Sequence, residues 1–291
     1  EVVTGGASLG QGFETVMAQI AAEALGTDYR RIRVVHGRTD RIEYGVGAHA
    51  SRATVLTGSA VSKTALQVRD KALDMAAELL QAPIESLDIT DGVIHPKGNP
   101  SGPSVTLGEV AEALAPASKA RGDRDPFLMG EAFFHIDHQT YPYGLHIAVV
   151  KVDADTGETK IERYIIGYDI GRAINPMLVD GQLVGGLAQG VGGSLYEEFA
   201  YDDSGQPLAV TFADYLIPTL LEIPEPEILL TEDFPSIRTP LGIKGAGEAG
   251  ITGAAAALAS AIDAAIGMPG AVTQTPISPQ RLKKILDGRK G

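Results

Sequence analysis

The chain has 291 residues, 44% hydrophobic and 21% charged, the composition of a folded globular protein with room for one large or two ordinary cores. Its 37 acidic against 24 basic residues give a net charge of -13, which repels nucleic acid and anionic lipid and removes both as expected partners. There is no cysteine, so disulfides, iron–sulfur ligation and thiolate catalysis are excluded within this chain.

In chain order the pattern is mixed α and β. The sequence opens Glu1-Val2-Val3-Thr4, without methionine and running straight into a glycine turn; it reads as a fragment, or as one product of a larger split or processed polypeptide. Val2 to Thr4 predicts the end of a strand, Gly12 to Leu25 a helix closed by Gly26, and Arg31 to His36 a strand. A long helix is expected from Ala53 to Leu80, short strands from Leu87 to Ile94, and a helix after Thr106. The polar stretches Asn99–Ser104 and Ser118–Asp125 are surface loops and mark expected sub-lobes 1–125 and 126–291. Gly144–Asp153 and Thr159–Ile166 predict two strands joined by a turn over Ala154–Glu158. Helices follow over Pro176–Glu197, Ile251–Ile266 and Ser278–Leu286, the first with Pro suited to its first turn. The longest apolar stretch, Ala254 to Ile262, stops at Asp263, short of the ~20 residues that cross a bilayer. Neither a membrane span nor a secretion leader is expected.

Four glycine-bearing segments can carry chemistry. Gly10-Gln11-Gly12-Phe13-Glu14-Thr15 lies between a strand and a helix, where backbone N–H groups can approach an anion; a plain tight turn is the simpler alternative. It matches neither the Walker-type phosphate loop nor the dinucleotide fingerprint. Tyr44 to Thr54 puts Gly47, Ser51, Arg52 and Thr54 before the long helix, with Arg52 suited to phosphate and Ser51 or Thr54 equally suited to capping. Tyr168-Asp169-Ile170-Gly171, continuing through Asn175-Pro176 to Gly181-Gln182, sets a carboxylate at the end of an apolar strand and an amide on the following helix. Finally, five glycines from Gly242 to Gly253 surround Lys244, Gly245 and Glu248. Glu248 near a helix start is either a functional acid or a partner of the helix dipole. His135, Asp137 and His138 with His146 offer metal-ligand types, but residues three apart on a strand face opposite ways, so polar packing is preferred. No Ser-His-Asp arrangement is evident.

Taken in order, these segments resemble the molybdenum-binding large subunits of the xanthine dehydrogenase and aldehyde oxidase family, in particular its carbon monoxide dehydrogenase-like branch. The resemblance rests on Gly10-Gln11-Gly12 with Thr15, Tyr44-Gly45 through Ser51-Arg52, Tyr141-Pro142-Tyr143-Gly144, Asp169 with Ile174-Asn175-Pro176 and Gly181-Gln182, and Lys244-Gly245-Ala246-Gly247-Glu248. It covers essentially the whole chain as the C-terminal half of a longer subunit, and implies an α/β (α+β) molybdenum-cofactor-binding fold with mixed sheets and long helices.

The resemblance implies that Gln11, Gly12 and Thr15 with the Gly47–Thr54 loop bind a molybdopterin cytosine dinucleotide, and that Asp169, Gln182, Lys244 and Gly245 add contacts. Molybdenum would be held by the pterin dithiolene, with no protein ligand. Glu248 matches the family's glutamate beside the metal, with the implied role of deprotonating a metal-bound hydroxyl that attacks an electrophilic carbon. Iron–sulfur clusters and FAD are expected on partner subunits, together with the N-terminal half of the large subunit, in a cytoplasmic dimer of heteromers. The chain alone is expected to be inactive. The expected activity is oxidation of an aldehyde or N-heterocycle, with carbon monoxide oxidation, or a non-catalytic dinucleotide-binding or assembly role, as alternatives.

Overall fold

The computed structural model describes residues 1–45 and 47–288, and the chain divides into two compact units. The first holds Glu1–Thr140 and Ser236–Ile243; the second holds Tyr141–Pro235 and Lys244 onward. The division therefore falls at Thr140/Tyr141 and not at the expected 125/126. The reason is packing. Beyond the polar loop the chain still belongs to the first unit: Leu128 packs on its core, and Lys63 Nζ reaches the Phe133 carbonyl at 3.4 Å.

In the first unit, β1 (Val2–Val3) pairs parallel with β2 (Val34–Val35) beside α1 (Phe13–Leu25). Phe13, Val16, Met17 and Ile20 repeat at helical spacing and are buried, which is why this segment is a helix. Gly26, left-handed at φ 71°, closes it. The expected strand over Arg31–His36 shortens to β2, because the Asp28 side chain caps a 3-10 turn over Tyr29–Arg31 by accepting from Arg30 N at 2.9 Å. The predicted long helix is α2 (Ser59–Leu80), entered through a π-helical turn at Ala53–Gly58.

Below α2 lie β3 (Leu87–Thr90), β4 (Val93–Pro96) and β5 (Val105–Thr106), an antiparallel sheet in the order β3-β4-β5. Asp91 and Gly92, both at positive φ, form the two-residue turn whose twist suits a hairpin. Leu87, Ile89, Ile94 and Val105 from this sheet bury against Ala72, Leu73, Met75 and Ala76 of α2 and against Val110 of α3 (Leu107–Ala113). Thr106 starts α3 with a reciprocal capping box to Glu109.

The second unit is a three-stranded sheet covered on one face by helices. β6 (Tyr143–Val152) and β7 (Thr159–Asp169) form a long antiparallel hairpin, and β8 (Glu227–Thr231) adds to β7 in parallel. The hairpin turn is held by the Asp153 carboxylate, which accepts from Asp155 N and Thr156 N. β8 was not foreseen from the sequence. α4 (Pro176–Val191) begins with Asn175 accepting from Leu178 N at 3.2 Å and ends in a second π-helical turn, Gly192–Tyr196, so the predicted helix to Glu197 loses regular α geometry in its last turn.

α5 (Ala249–Thr252), α6 (Ala254–Ile266) and α7 (Pro279–Gly288) complete the unit. Tyr164 and Ile166 of β7 pack on Leu183, Leu187 and Val191 of α4 and on Leu258 and Ile262 of α6. The 18 residues Ala249–Ile266, with mean hydropathy 1.5, are long and apolar enough to cross a membrane. They are divided at Gly253, and their stripe of Ala254, Leu258, Ile262 and Ile266 packs into the core of this unit.

Candidate functional site

The glycine segment before α1 ends in Gly12, which takes the N-cap position at φ 77°, and among the described residues no side chain caps the helix there. The first-turn N–H groups are therefore left for water or a ligand. Gln11 braces the approach, accepting from Leu9 N at 2.5 Å and donating to the Ala7 carbonyl at 3.1 Å. Thr15 is exposed in the first turn. Gly10 has open space where a Cβ would lie.

The second segment runs into the π-helical turn that packs on α1 within the same unit, so the two segments occupy neighbouring elements. Of its residues Val46 lies outside those described. Gly5 and Gly45 approach so closely that a Cβ on Gly45 would stand 2.3 Å from the Gly5 carbonyl oxygen. Gly47 is left-handed at φ 69° with open space beside it, and Ala50 and Ser51 are both left-handed at φ 52°. For residues with a Cβ that conformation costs about 1–3 kcal/mol each. Arg52 Nη2 lies 2.5 Å from His49 Nε2, while its Nε is buried with no hydrogen-bond partner among the described residues. Thr54 is partly buried in the π-helical turn that follows.

In the second unit Asp169 ends β7, flanked by Tyr143 of β6 and Thr231 of β8. Its side chain is 3% exposed and that of Lys244 is 8% exposed, with Lys244 Nζ donating to Asp169 Oδ1 at 2.9 Å. The same carboxylate accepts from Gly171 N at 2.9 Å, Phe234 N at 3.1 Å and the Thr231 hydroxyl at 3.3 Å. Burial pushes its pKa up, but the Gly171 amide, Lys244 and the Phe234 amide together outweigh this and hold it below the ordinary carboxylate value. Lys244 Nζ also sits 4.5 Å from the centre of the Tyr143 ring. Asp169 and Lys244, which the resemblance implies as polar contacts of the ligand, form a buried ion pair with each other.

Gly245 is buried, and Gln182 is partly buried on α4 just before Leu183 of the core. Glu248 occupies the N-cap position of α5, its side chain exposed and its carbonyl accepting from Ile251 N, Thr252 N and the Thr252 hydroxyl. His146, a metal-ligand type by sequence, is partly buried and bonded within the protein: Nε2 lies 2.9 Å from the Ala249 carbonyl and Nδ1 lies 2.9 Å from the Tyr164 hydroxyl. His135 and Asp137, by contrast, have side chains 87% and 88% exposed. Among the described residues no group of three or more His, Asp and Glu is placed to hold a metal ion. The partners of His146 and Asp169 stand too far away in sequence for spacing to reveal them.

The donor set of the first unit suits a phosphate-bearing ligand. It offers backbone N–H groups at an uncapped helix start, open glycine backbone at Gly10 and Gly47, and an unsatisfied guanidinium nitrogen on Arg52.

Comparison with known proteins gives the same direction. A family model described as a molybdopterin cofactor-binding domain matches residues 1–224. Over 97% of its length the chain is 43% identical to the gamma subunit of the 6-hydroxypseudooxynicotine dehydrogenase complex of Paenarthrobacter nicotinovorans, and spans 35% of that protein. The structure of carbon monoxide dehydrogenase from Oligotropha carboxidovorans superposes on 98% of the chain with TM-score 0.89 at 32% identity, covering 35% of that chain. Quinoline 2-oxidoreductase from Pseudomonas putida 86 superposes with TM-score 0.86 at 35% identity, over 98% of this chain and 36% of its own. The chain thus spans about a third of the relatives it matches.

Proposed function

Since the chain belongs to the molybdopterin cofactor-binding domain family, we propose that it is the cofactor-holding part of a molybdenum hydroxylase large subunit that oxidises an N-heterocycle or an aldehyde. N-heterocycles lead because one relative is named for quinoline and another as a nicotine 6-hydroxylase. The cofactor is the cytosine dinucleotide form. In the first unit the α1 amides, with Gln11, Gly12 and Thr15, and the loop from Gly47 through Ser51, Arg52 and Thr54 hold its anionic part. When bound, the molybdenum centre supplies the two-electron oxidation, with oxygen from water.

The chain's own residues do the rest. Helix-start amides and the Arg52 guanidinium neutralise phosphate charge and fix orientation. Glu248 would serve as the acid–base group of the site, its exposed side chain placed to accept a proton. The observation that carries the reading is the placement of Glu248: exposed, at the tip of a glycine-rich turn whose flanks are buried. Electrons leave through iron–sulfur and FAD subunits, in a cytoplasmic assembly that includes the remainder of the large subunit.

Two measurements on the complete complex test this. Acid hydrolysis of the native protein is expected to release CMP in proportion to bound molybdenum; absence of both removes the cofactor claim. Glu248→Gln is expected to keep molybdenum and lose turnover by on the order of 100-fold or more. Normal turnover at normal molybdenum content would leave Glu248 structural and the chain a dinucleotide-binding scaffold.

A further inference from the structure

The turn Gly245–Glu248 has no regular hydrogen-bonding ladder of its own, yet it carries the residue assigned as base. Its flanks are fixed by groups that sequence spacing does not connect. At the leading end, Lys244 is held twice: its backbone N–H donates to the Ile170 carbonyl at 2.8 Å, and its ammonium donates to Asp169, the last residue of β7. The Tyr143 ring closes over that ammonium.

At the trailing end, the Ala249 carbonyl can only accept, so His146 must present Nε2–H to it. Nδ1 is then an acceptor, and the Tyr164 hydroxyl donates to it. Burial lowers the His146 pKa and raises that of Tyr164, which favours the neutral ring and the protonated phenol that the two bonds use. Space is made for the ring by Gly253, where a Cβ would stand 2.6 Å from His146 Cδ2. Next to Ala249, Gly250 abuts the Leu183 carbonyl, where a Cβ would stand 2.2 Å from the oxygen.

We propose that Lys244, through Asp169, and His146, through Tyr164, are positioning residues that pin the two ends of the Gly245–Glu248 turn and so set where the Glu248 carboxylate points. This rests on the assignment of Glu248 as base. The Lys244 ammonium is nearly buried against Asp169, and both ring nitrogens of His146 are engaged by protein groups, so their role is positional. Their effect is on orientation, and orientation errors of about an ångström lower turnover by on the order of 100-fold.

The test uses the complete complex and four variants: His146→Leu, His146→Gln, Lys244→Met and the double variant Asp169→Asn/Lys244→Met. Gln can return a donor near the Nε2 position, whereas Leu cannot. The double variant removes both buried charges together, so that no orphan carboxylate confuses the result.

Molybdenum and CMP content should stay at the wild-type level in all four. Hydrogen exchange of the peptide spanning 244–252 should speed up in His146→Leu and in both Lys244 variants. In those three variants kcat should fall on the order of 10- to 100-fold with KM little changed, and His146→Gln should recover most of it. Should Lys244→Met fail to fold, the double variant decides the leading end, and His146→Leu against His146→Gln decides the trailing end.

Loss of cofactor from folded variants would overturn the proposal by making these residues ligand contacts. So would wild-type kcat with intact cofactor, or recovery of kcat in the double variant. Failure of the underlying reading looks different: wild-type complex without molybdenum, or a fully active Glu248→Gln.

Discussion

Gly190→Ala tests the crossing on which the Glu248 turn is mounted. Gly190 lies on α4, and a Cβ built there would stand 2.4 Å from the Ala254 Cβ at the start of α6. Carbon atoms rest about 3.5–4.0 Å apart, so the helices would have to separate by more than about 1 Å to admit the methyl group. Overpacking of a core costs about 1–3 kcal/mol. Both positions are buried, and the overlap is deep, which puts this site near the upper end. Replacing a mid-helix glycine by alanine returns about 1 kcal/mol of helix propensity, leaving a net loss of about 2 kcal/mol.

For a folding unit of this size, that is a fall of roughly 4–8 °C in Tm. Ala254→Gly removes the opposing methyl, so the double variant Gly190→Ala/Ala254→Gly should be more stable than the sum of the single effects by about 1–3 kcal/mol. Denaturant titration of the wild type, both singles and the double, followed by circular dichroism, closes the cycle. A Gly190→Ala variant as stable as wild type, or a strictly additive double variant, would refute the close crossing and the rigid mounting inferred from it.

Two further outcomes are expected. Asp169 has a folded pKa below its ordinary value of 3.8, so its ionised form contributes stability that is fully present above that value and is lost as pH falls through the folded pKa. Asp169→Asn should therefore be less stable than wild type at neutral pH, with the gap narrowing as pH falls from about 5 to about 2; a gap that stays constant in denaturation midpoints over that range counts against the buried ion pair. In the first unit, Thr106→Ala removes one half of the capping box on α3 and should cost about 1 kcal/mol, most of it restored by Thr106→Ser. Equal midpoints for Thr106→Ala and wild type would show that packing of Val110 alone holds that helix.

Local signals in the sequence anticipated much of the architecture. Phe13, Val16, Met17 and Ile20 announce α1, Pro176 after Asn175 announces the start of α4, and the Asp153–Glu158 turn announces the β6–β7 hairpin. Each is written within a few residues, because helix periodicity, capping and turn chemistry act over that range. β8 escaped because a five-residue strand between proline-rich and acidic stretches has no alternation strong enough to mark it, and it is a strand only by pairing with β7. The two π-helical turns were equally silent, since their composition is that of ordinary helix.

The candidate site divides in the same way. The order of the glycine segments, the approach to α1 and the position of Glu248 could be read from residues in line, since a backbone that comes close to a ligand needs glycine wherever it occurs. What ties Glu248 down could not. Lys244 meets Asp169 across 75 residues and His146 meets Ala249 across 103. Those pairs exist because the sheet and the helices of the second unit bring remote chain together, and a buried charge or ring nitrogen must take its partner from whatever the fold sets beside it.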